Sequence, residues 1–129
     1  MKALITTTVL VCLAALPAPA RADGVSLAGS QWGFGGNDKR FIRFGADGRV
    51  SGHAGCNRFA GSYSEDGGKL SIGPLAMTRK MCPPRDMARE RALAGLLRNT
   101  RNFEASHLKL TLVSGSGKVL AKLRRQDFD

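Results

Sequence analysis

Side chains suited to metal binding, base stacking or nucleophilic attack are scarce in this chain. Its 129 residues include three cysteines, two histidines, one tryptophan and one tyrosine. Aromatic residues make up 6%, too few to lay the row of stacking platforms on which single-stranded nucleic acid is bound. Acids are scarce as well: 10 Asp and Glu stand against 20 Lys and Arg, a formal net charge of +10. Long apolar runs are nearly missing. The uncharged stretch from Ala3 to Leu16 is shorter than the about 20 residues a membrane-crossing helix requires. No internal repeat or low-complexity linker divides the chain.

What is present begins with a leader. Met1-Lys2 gives a positive start, the uncharged run follows, and Ala20-Arg21-Ala22 closes it with a small-x-small pattern. That is the form of a secretory signal over 1–22, cleaved after Ala22. Cys12 is a poor lipid anchor, since Val11 stands where a small residue is needed and the apolar run continues past it. Residues 23–129 are then one domain. It is expected to be periplasmic or secreted, monomeric and without a membrane span. Losing Lys2 and Arg21 and no acid lowers the charge from +10 to +8. Such an excess favours anionic surfaces, and in a bacterial envelope these are lipid headgroups and polysaccharides rather than nucleic acid. A genome rich in arginine codons would produce the same excess.

Export also changes how the cysteines read. Cys56 and Cys82 remain, in an oxidising compartment that favours a disulfide. The alternative is a zinc site assembled from His53, Cys56, Cys82 and His107, but the spacing is not that of a finger or ribbon. A bridge closing 26 positions would contribute about 3–4 kcal/mol in the chain-entropy model. No metal and no cofactor are expected.

Short extended segments fill the first half. "RFIRFGADGRVSGHA" reads as a hairpin: Phe41 to Phe44, a turn at 45–48, then Arg49 to Ala54. Asp-Gly supplies the turn. Further strands are expected at Asn57 to Tyr63, Lys69 to Ile72 and Leu75 to Thr78. One helix opens at Pro84, whose missing N–H costs nothing in a first turn. Met87, Leu93, Leu96 and Leu97 share its apolar face, and Asn99-Thr100 ends it. Phe103 to Ala105 is a short strand. "HLKLTLV" alternates, placing Leu108, Leu110 and Leu112 on one face, and Lys118 to Arg124 follows a Ser-Gly turn. The expected fold is α+β: a mainly antiparallel curved sheet of about seven or eight short strands, a half-barrel, packed on one helix.

Motifs that suggest chemistry do not survive their context. "SGSGK" at 114–118 lacks the longer glycine loop and following helix of a phosphate loop, and "GFGG" at 33–36 lacks the strand-loop-helix setting of a dinucleotide site. "GFGG" reads instead as a flexible connection after a Trp32 core anchor. No nucleophile elbow surrounds any serine. Asp38, Asp47, Glu65 and Asp66 fall in turn-like segments, where acids usually face water. No catalytic centre is expected.

Two blocks carry a resemblance. "GHAGCNRFAGSY" places Gly52, Gly55, Cys56, Asn57, Phe59, Gly61 and Tyr63 on the pattern Gly-x-x-Gly-Cys-Asn-x-Phe-x-Gly-x-Tyr. "TRKMCP" places Thr78, Met81, Cys82 and Pro83 on Thr-x-x-Met-x-Cys-Pro ahead of a helix. Together these resemble the META/HslJ family of small bacterial domains, from about Leu27 to Leu123. The resemblance implies one META domain with a curved antiparallel sheet against a helix. It also implies a setting of envelope stress or antibiotic tolerance, and no established reaction. Cys56 should approach Cys82 just before the helix. The stretch around Cys56 then reads as a structural corner, with Asn57 bonding backbone groups the bend leaves unpaired.

The expected function is non-enzymatic: binding an envelope partner, an anionic lipid or polysaccharide, in support of stress tolerance. The candidate anion-binding surface is Arg79, Lys80, Arg85, Arg89, Arg91, Lys122, Arg124 and Arg125. Two other readings stand beside it. One is a disulfide-fastened inhibitor of a secreted hydrolase, presenting a loop near 34–40. The other is a carrier of a hydrophobic ligand in the hollow of the sheet.

Overall fold

The computed structural model describes residues 25–126 as a continuous stretch, together with 3, 9–12 and 14. The cleavage point expected after Ala22 lies outside the described residues. Within them the chain forms nine strands and one helix. They are β1 (Ser30–Gly33), β2 (Phe41–Phe44), β3 (Arg49–His53), β4 (Arg58–Asp66), β5 (Lys69–Ile72), β6 (Ala76–Met77), α1 (Pro84–Asn99), β7 (Thr100–Ala105), β8 (Lys109–Ser114) and β9 (Val119–Arg125).

All pairings are antiparallel, in the order β3-β2-β1-β9-β8-β7-β5-β4-β6, and β3 also pairs with β4. Eight strands therefore close into a barrel, and β6 lies outside the ring on β4. β5 and β6 follow the same edge of β4, opposite Tyr63–Asp66 and Phe59–Ala60 respectively. Gly73-Pro74-Leu75 interrupts them, because proline has no N–H to give the ladder.

The half-barrel and the α+β class expected from sequence are corrected here: the fold is a closed barrel, mainly β with one helix. The missing piece was β1. Its four residues, Ser-Gln-Trp-Gly, had read as an anchor and the start of a connection. They pair with β2 from Ser30 to Gly33 and with β9 at Trp32–Arg125 and Gly33–Arg124. Pairing across more than 90 positions leaves no local pattern, so the closing strand was invisible.

Period-two alternation fills the barrel. Trp32, Ile42, Phe44, Val50, Leu70, Leu110, Leu112 and Leu123 point inward and are buried, joined by Leu93 and Leu97 of α1. Trp32 Nε1–H donates to Ser30 Oγ at 2.6 Å, so the buried indole keeps its hydrogen bond. Ile72 and Leu96 pack against this cluster from its rim. The interior is thus lined by buried side chains, which counts against the ligand-carrier reading and its open hollow.

Two local expectations also change. The buried residues of α1 are Glu90, Leu93 and Leu97, with Met87 and Leu96 only partly covered. Leu108 does not join Leu110 and Leu112. It is 56% exposed, because the Ser106 N–H and Lys109 carbonyl close a turn that carries it out of the strand.

Leu112→Ala should therefore lower the unfolding free energy by about 2–5 kcal/mol. Leu108→Ala should change it by no more than about 0.5 kcal/mol. Urea denaturation of the two variants checks the assignment.

Candidate functional site

The corner between β3 and β4 is built on one asparagine. The Ala54 N–H donates to the Asn57 carbonyl at 2.8 Å, closing the turn. Gly55 within it has φ +117, a conformation L side chains rarely adopt. Asn57 is 2% exposed, and each polar group of its side chain is used. Its Oδ1 accepts from the Thr78 hydroxyl at 2.9 Å and the Lys80 N–H at 2.6 Å. Its amide donates to the Lys80 carbonyl at 3.3 Å and to Glu90 Oε2 at 3.1 Å, while its backbone N–H donates to Glu90 Oε1 at 2.7 Å. Three segments thus meet at one side chain: the corner, the strap leading to the helix, and the helix itself.

Cys56 and Cys82 are joined in a disulfide, with Cα atoms 6.0 Å apart. The bridge ties the same corner to the residues just before Pro84. Both sulfurs are spent in it, so the zinc assembly with His53 and His107 loses its thiolates. His53 Nδ1 instead accepts the Gly55 N–H at 3.1 Å.

The remaining residues of the two blocks surround this knot. Gly52 lies opposite Phe59 in the β3–β4 register; a Cβ there would strike the Phe41 carbonyl and the Phe59 ring. A Cβ at Gly61 would come within 2.8 Å of the Pro74 carbonyl, so glycine admits the break between β5 and β6. Tyr63 donates its hydroxyl to the Gly45 carbonyl at 2.6 Å and meets Phe44 edge-on at 5.0 Å. Burial, with help from Glu65 and Asp47, holds this phenol above its ordinary pKa of 10.0. Thr78 also accepts the Arg58 N–H at 3.1 Å. Pro83 precedes the helix without a side-chain cap, and Met81 is 90% exposed.

Glu90 was not singled out in the sequence, though a signal was there. It stands three residues after Met87 and three before Leu93, so a helix places an acid on the apolar face. An acid in that position needs a buried partner.

The cationic residues do not form one patch. Arg85 and Arg89 are one turn apart on α1. Arg89 stands beside Gly55 near Arg40, and its charge helps lower the Asp38 pKa. Arg79 and Lys80, on the strap, border a hollow with Met77, Met81 and Met87. Arg91 is exposed on α1. Lys122 and Arg124 project outward from β9, and Arg124 reaches the loop at Gly35. Arg125 lies over the Trp32 ring at 5.6 Å. The loop at 34–40 is folded on itself: Arg40 packs over Phe34 at 4.2 Å and grips Asp38 at 2.8 Å.

A further surface emerges only from the register. Gln31, Arg43, Ser51, Ala60 and Ala76 pair in succession across β1, β2, β3, β4 and β6. Their neighbours Trp32, Ile42, Phe44, Val50 and Phe59 are buried, so this row faces outward. Small side chains at Ser51, Ala60 and Ala76 leave a furrow of about 630 Å³, also lined by Phe41, Arg58, Met77 and Thr78. The guanidinium groups of Arg43 and Arg58 make no hydrogen bond or ion pair among the described residues, and no acid lines the furrow.

Together these features define a small closed antiparallel barrel whose single described helix is tied to a strand corner by a disulfide and a buried Asn–Glu contact. The chain belongs to the META domain family, whose model matches residues 21–127. It is similar to a protein from Burkholderia xenovorans solved by NMR, with 20% identity over 88% of this chain and 100% of that one, and a TM-score of 0.66. A second NMR structure shares 25% identity over 76% of this chain and 90% of the other, with a TM-score of 0.58. The crystal structure of a duf4847 family protein from Bacteroides vulgatus shares 18% over 71% and 62%, with a TM-score of 0.54. These likenesses show the fold. No curated protein matches.

Asn57→Ala should cost about 1–3 kcal/mol per buried group left unpaired, and Asn57→Asp more at neutral pH, because it sets a carboxylate against Glu90. Guanidinium titrations of both variants test the order. Acid exposes a second contact. The Arg40 side-chain hydrogen bond holds Asp38 below its ordinary 3.8, with burial opposing. A lowered carboxyl contributes stability above its unfolded pKa and loses it as pH falls through the folded one. Asp38→Asn should therefore narrow the stability difference between pH 5 and pH 2, measured by thermal melts, relative to the parent chain.

Proposed function

We propose that this META domain is a non-catalytic binding module of the cell envelope, holding an anionic partner, a lipid headgroup or polysaccharide, by its cationic surface. The carrying observation is that Arg79, Lys80, Arg85 and Arg89 are exposed around the fastened corner with no acid within ion-pair distance among the described residues. Unneutralised cations on a fixed scaffold attract polyanions over a Debye length.

The corner supports binding rather than reaction. Asn57, Thr78 and Glu90 spend their polar atoms on one another and on the strap backbone, leaving none of them free to move a proton to a substrate. The bridge and the filled barrel hold the surface in one shape, which suits a site that works by pre-set charge. Placement in the periplasm or outside the cell, with the 1–22 leader removed, belongs to this same reading, as does a role in stress tolerance.

Purified protein beginning at residue 23 should be retained on lipopolysaccharide or on vesicles rich in anionic lipid. Retention should fall as added salt shortens the screening length from about 30 Å at 0.01 M to about 3 Å at 1 M. Replacing Arg79, Lys80, Arg85 and Arg89 together by Gln should weaken it several-fold at low salt. Retention that ignores both salt and these substitutions would refute the reading.

A further inference from the structure

We infer that the outward furrow across β1, β2, β3, β4 and β6 is the site that recognises the partner, and that its ligand is an acidic polysaccharide bearing carboxylate or phosphate groups. This rests on the anionic-partner reading and adds to it a place and a chemical class. Arg43, Ser51 and Ala76 lie outside the two sequence blocks, Ala60 fills only an unspecified position of the first, and none of the four belongs to the cationic set read from the sequence.

The argument begins with register. Arg43 on β2 and Arg58 on β4 flank Ser51, two strands and one outward step apart. With strands about 4.8 Å apart and about 6.7 Å between outward neighbours, their attachment points are separated by about 12 Å. Two arginine side chains reaching toward each other across that span can close on one anionic group. Guanidinium forks suit carboxylate and phosphate, and each bond to an ionised acceptor is stronger than a neutral one. With no acid lining the furrow, the charge of both is uncompensated locally.

The other lining residues discriminate among anions. Phe41 is partly exposed beside Arg43 and, with Met77, Ala60 and Ala76, offers apolar area. The Ser51 hydroxyl makes no bond among the described residues, and the Gln31 amide makes only a long one, 3.5 Å to Gln126. A sugar ring presents C–H faces to the first group and hydroxyls to the second. An acyl chain laid in the same open furrow would keep one flank in water and forfeit much of the gain from burial. An extended acidic peptide would seek main-chain partners, and β2 and β3 each have a strand on both sides, which leaves only the two-residue edge of β6 to offer any.

The test uses the chain from residue 23, a tetrasaccharide of galacturonic acid, and a neutral glucose tetrasaccharide as the matched control. Calorimetry should show binding of the uronate at least 10-fold tighter than that of the neutral sugar. Amide shifts on titration should centre on Phe41, Ser51, Ala60 and Ala76. The exposed substitutions Arg43→Gln and Arg58→Gln together should weaken uronate binding at least 10-fold. Lys69→Gln with Lys118→Gln, which removes the same charge elsewhere, should stay within about twofold. Thermal melts should show all variants folded.

Equal binding of the two sugars overturns the proposal, as does full affinity after loss of Arg43 and Arg58. If Arg85→Gln with Arg89→Gln abolishes binding while the furrow pair does not, the furrow falls and the cationic-corner reading stands. Binding to anionic vesicles but not to the uronate overturns the polysaccharide assignment alone. No binding to either removes both readings.

Discussion

The Glu90 carboxylate holds the backbone N–H and the side-chain amide of one asparagine, and the geometry of the exposed corner depends on that contact. Without it, the β3–β4 turn and the helix would each present buried polar groups without partners, at about 1–3 kcal/mol apiece, and the Asn57 side chain that also holds the strap at Thr78 and Lys80 would lose its fixed direction. The disulfide acts on a different state. It shortens the unfolded chain's reach between positions 56 and 82, whereas the Asn–Glu contact favours one folded arrangement over its neighbours. A bridge alone would leave the helix free to rotate about its attachment. The hydrogen bonds, each needing a particular direction, remove that freedom.

Position matters as much as strength. α1 has no side-chain cap at its start, and its first residue, Pro84, brings no N–H to be satisfied. The helix is therefore anchored from its side, at Glu90, Leu93 and Leu97, rather than from its end. Arg85 and Arg89 are carried on the same two turns, so any displacement of Glu90 moves the cations with it.

How much could be read beforehand follows from how local each feature is. The 41–53 hairpin declares itself through Asp-Gly between two alternating runs, and the helix through Pro84 and its leucines. The corner's polar demand was visible in Asn57 among glycines and alanines. Its acidic partner, 33 positions away, was hidden because a single glutamate on a basic helix reads as surface charge. Ring closure by β1 was hidden for a related reason: Gln31 and Trp32 reveal nothing of β9 until both strands exist. Leu108 misled in the opposite direction, since alternation continued one residue beyond the strand that justified it.

The furrow is the extreme case. Ser51, Ala60 and Ala76 are unremarkable singly, and their smallness means something only once the register sets them in one row. That has a consequence for where this fold can bind anything. A barrel whose inside is packed with Trp32, Phe44 and a set of leucines favours recognition on its outer surface. There a convex sheet offers little concavity unless consecutive positions in a cross-strand row are small. The β5–β6 break provides the complement, because Gly61 admits Pro74 and Leu75 and the edge resumes at Ala76 instead of ending at Ile72. The residue pattern that interrupts the strand is thus the one that extends the furrow, and Arg58, leaving β4 next to it, is brought to its rim by the same turn of chain that Asn57 holds.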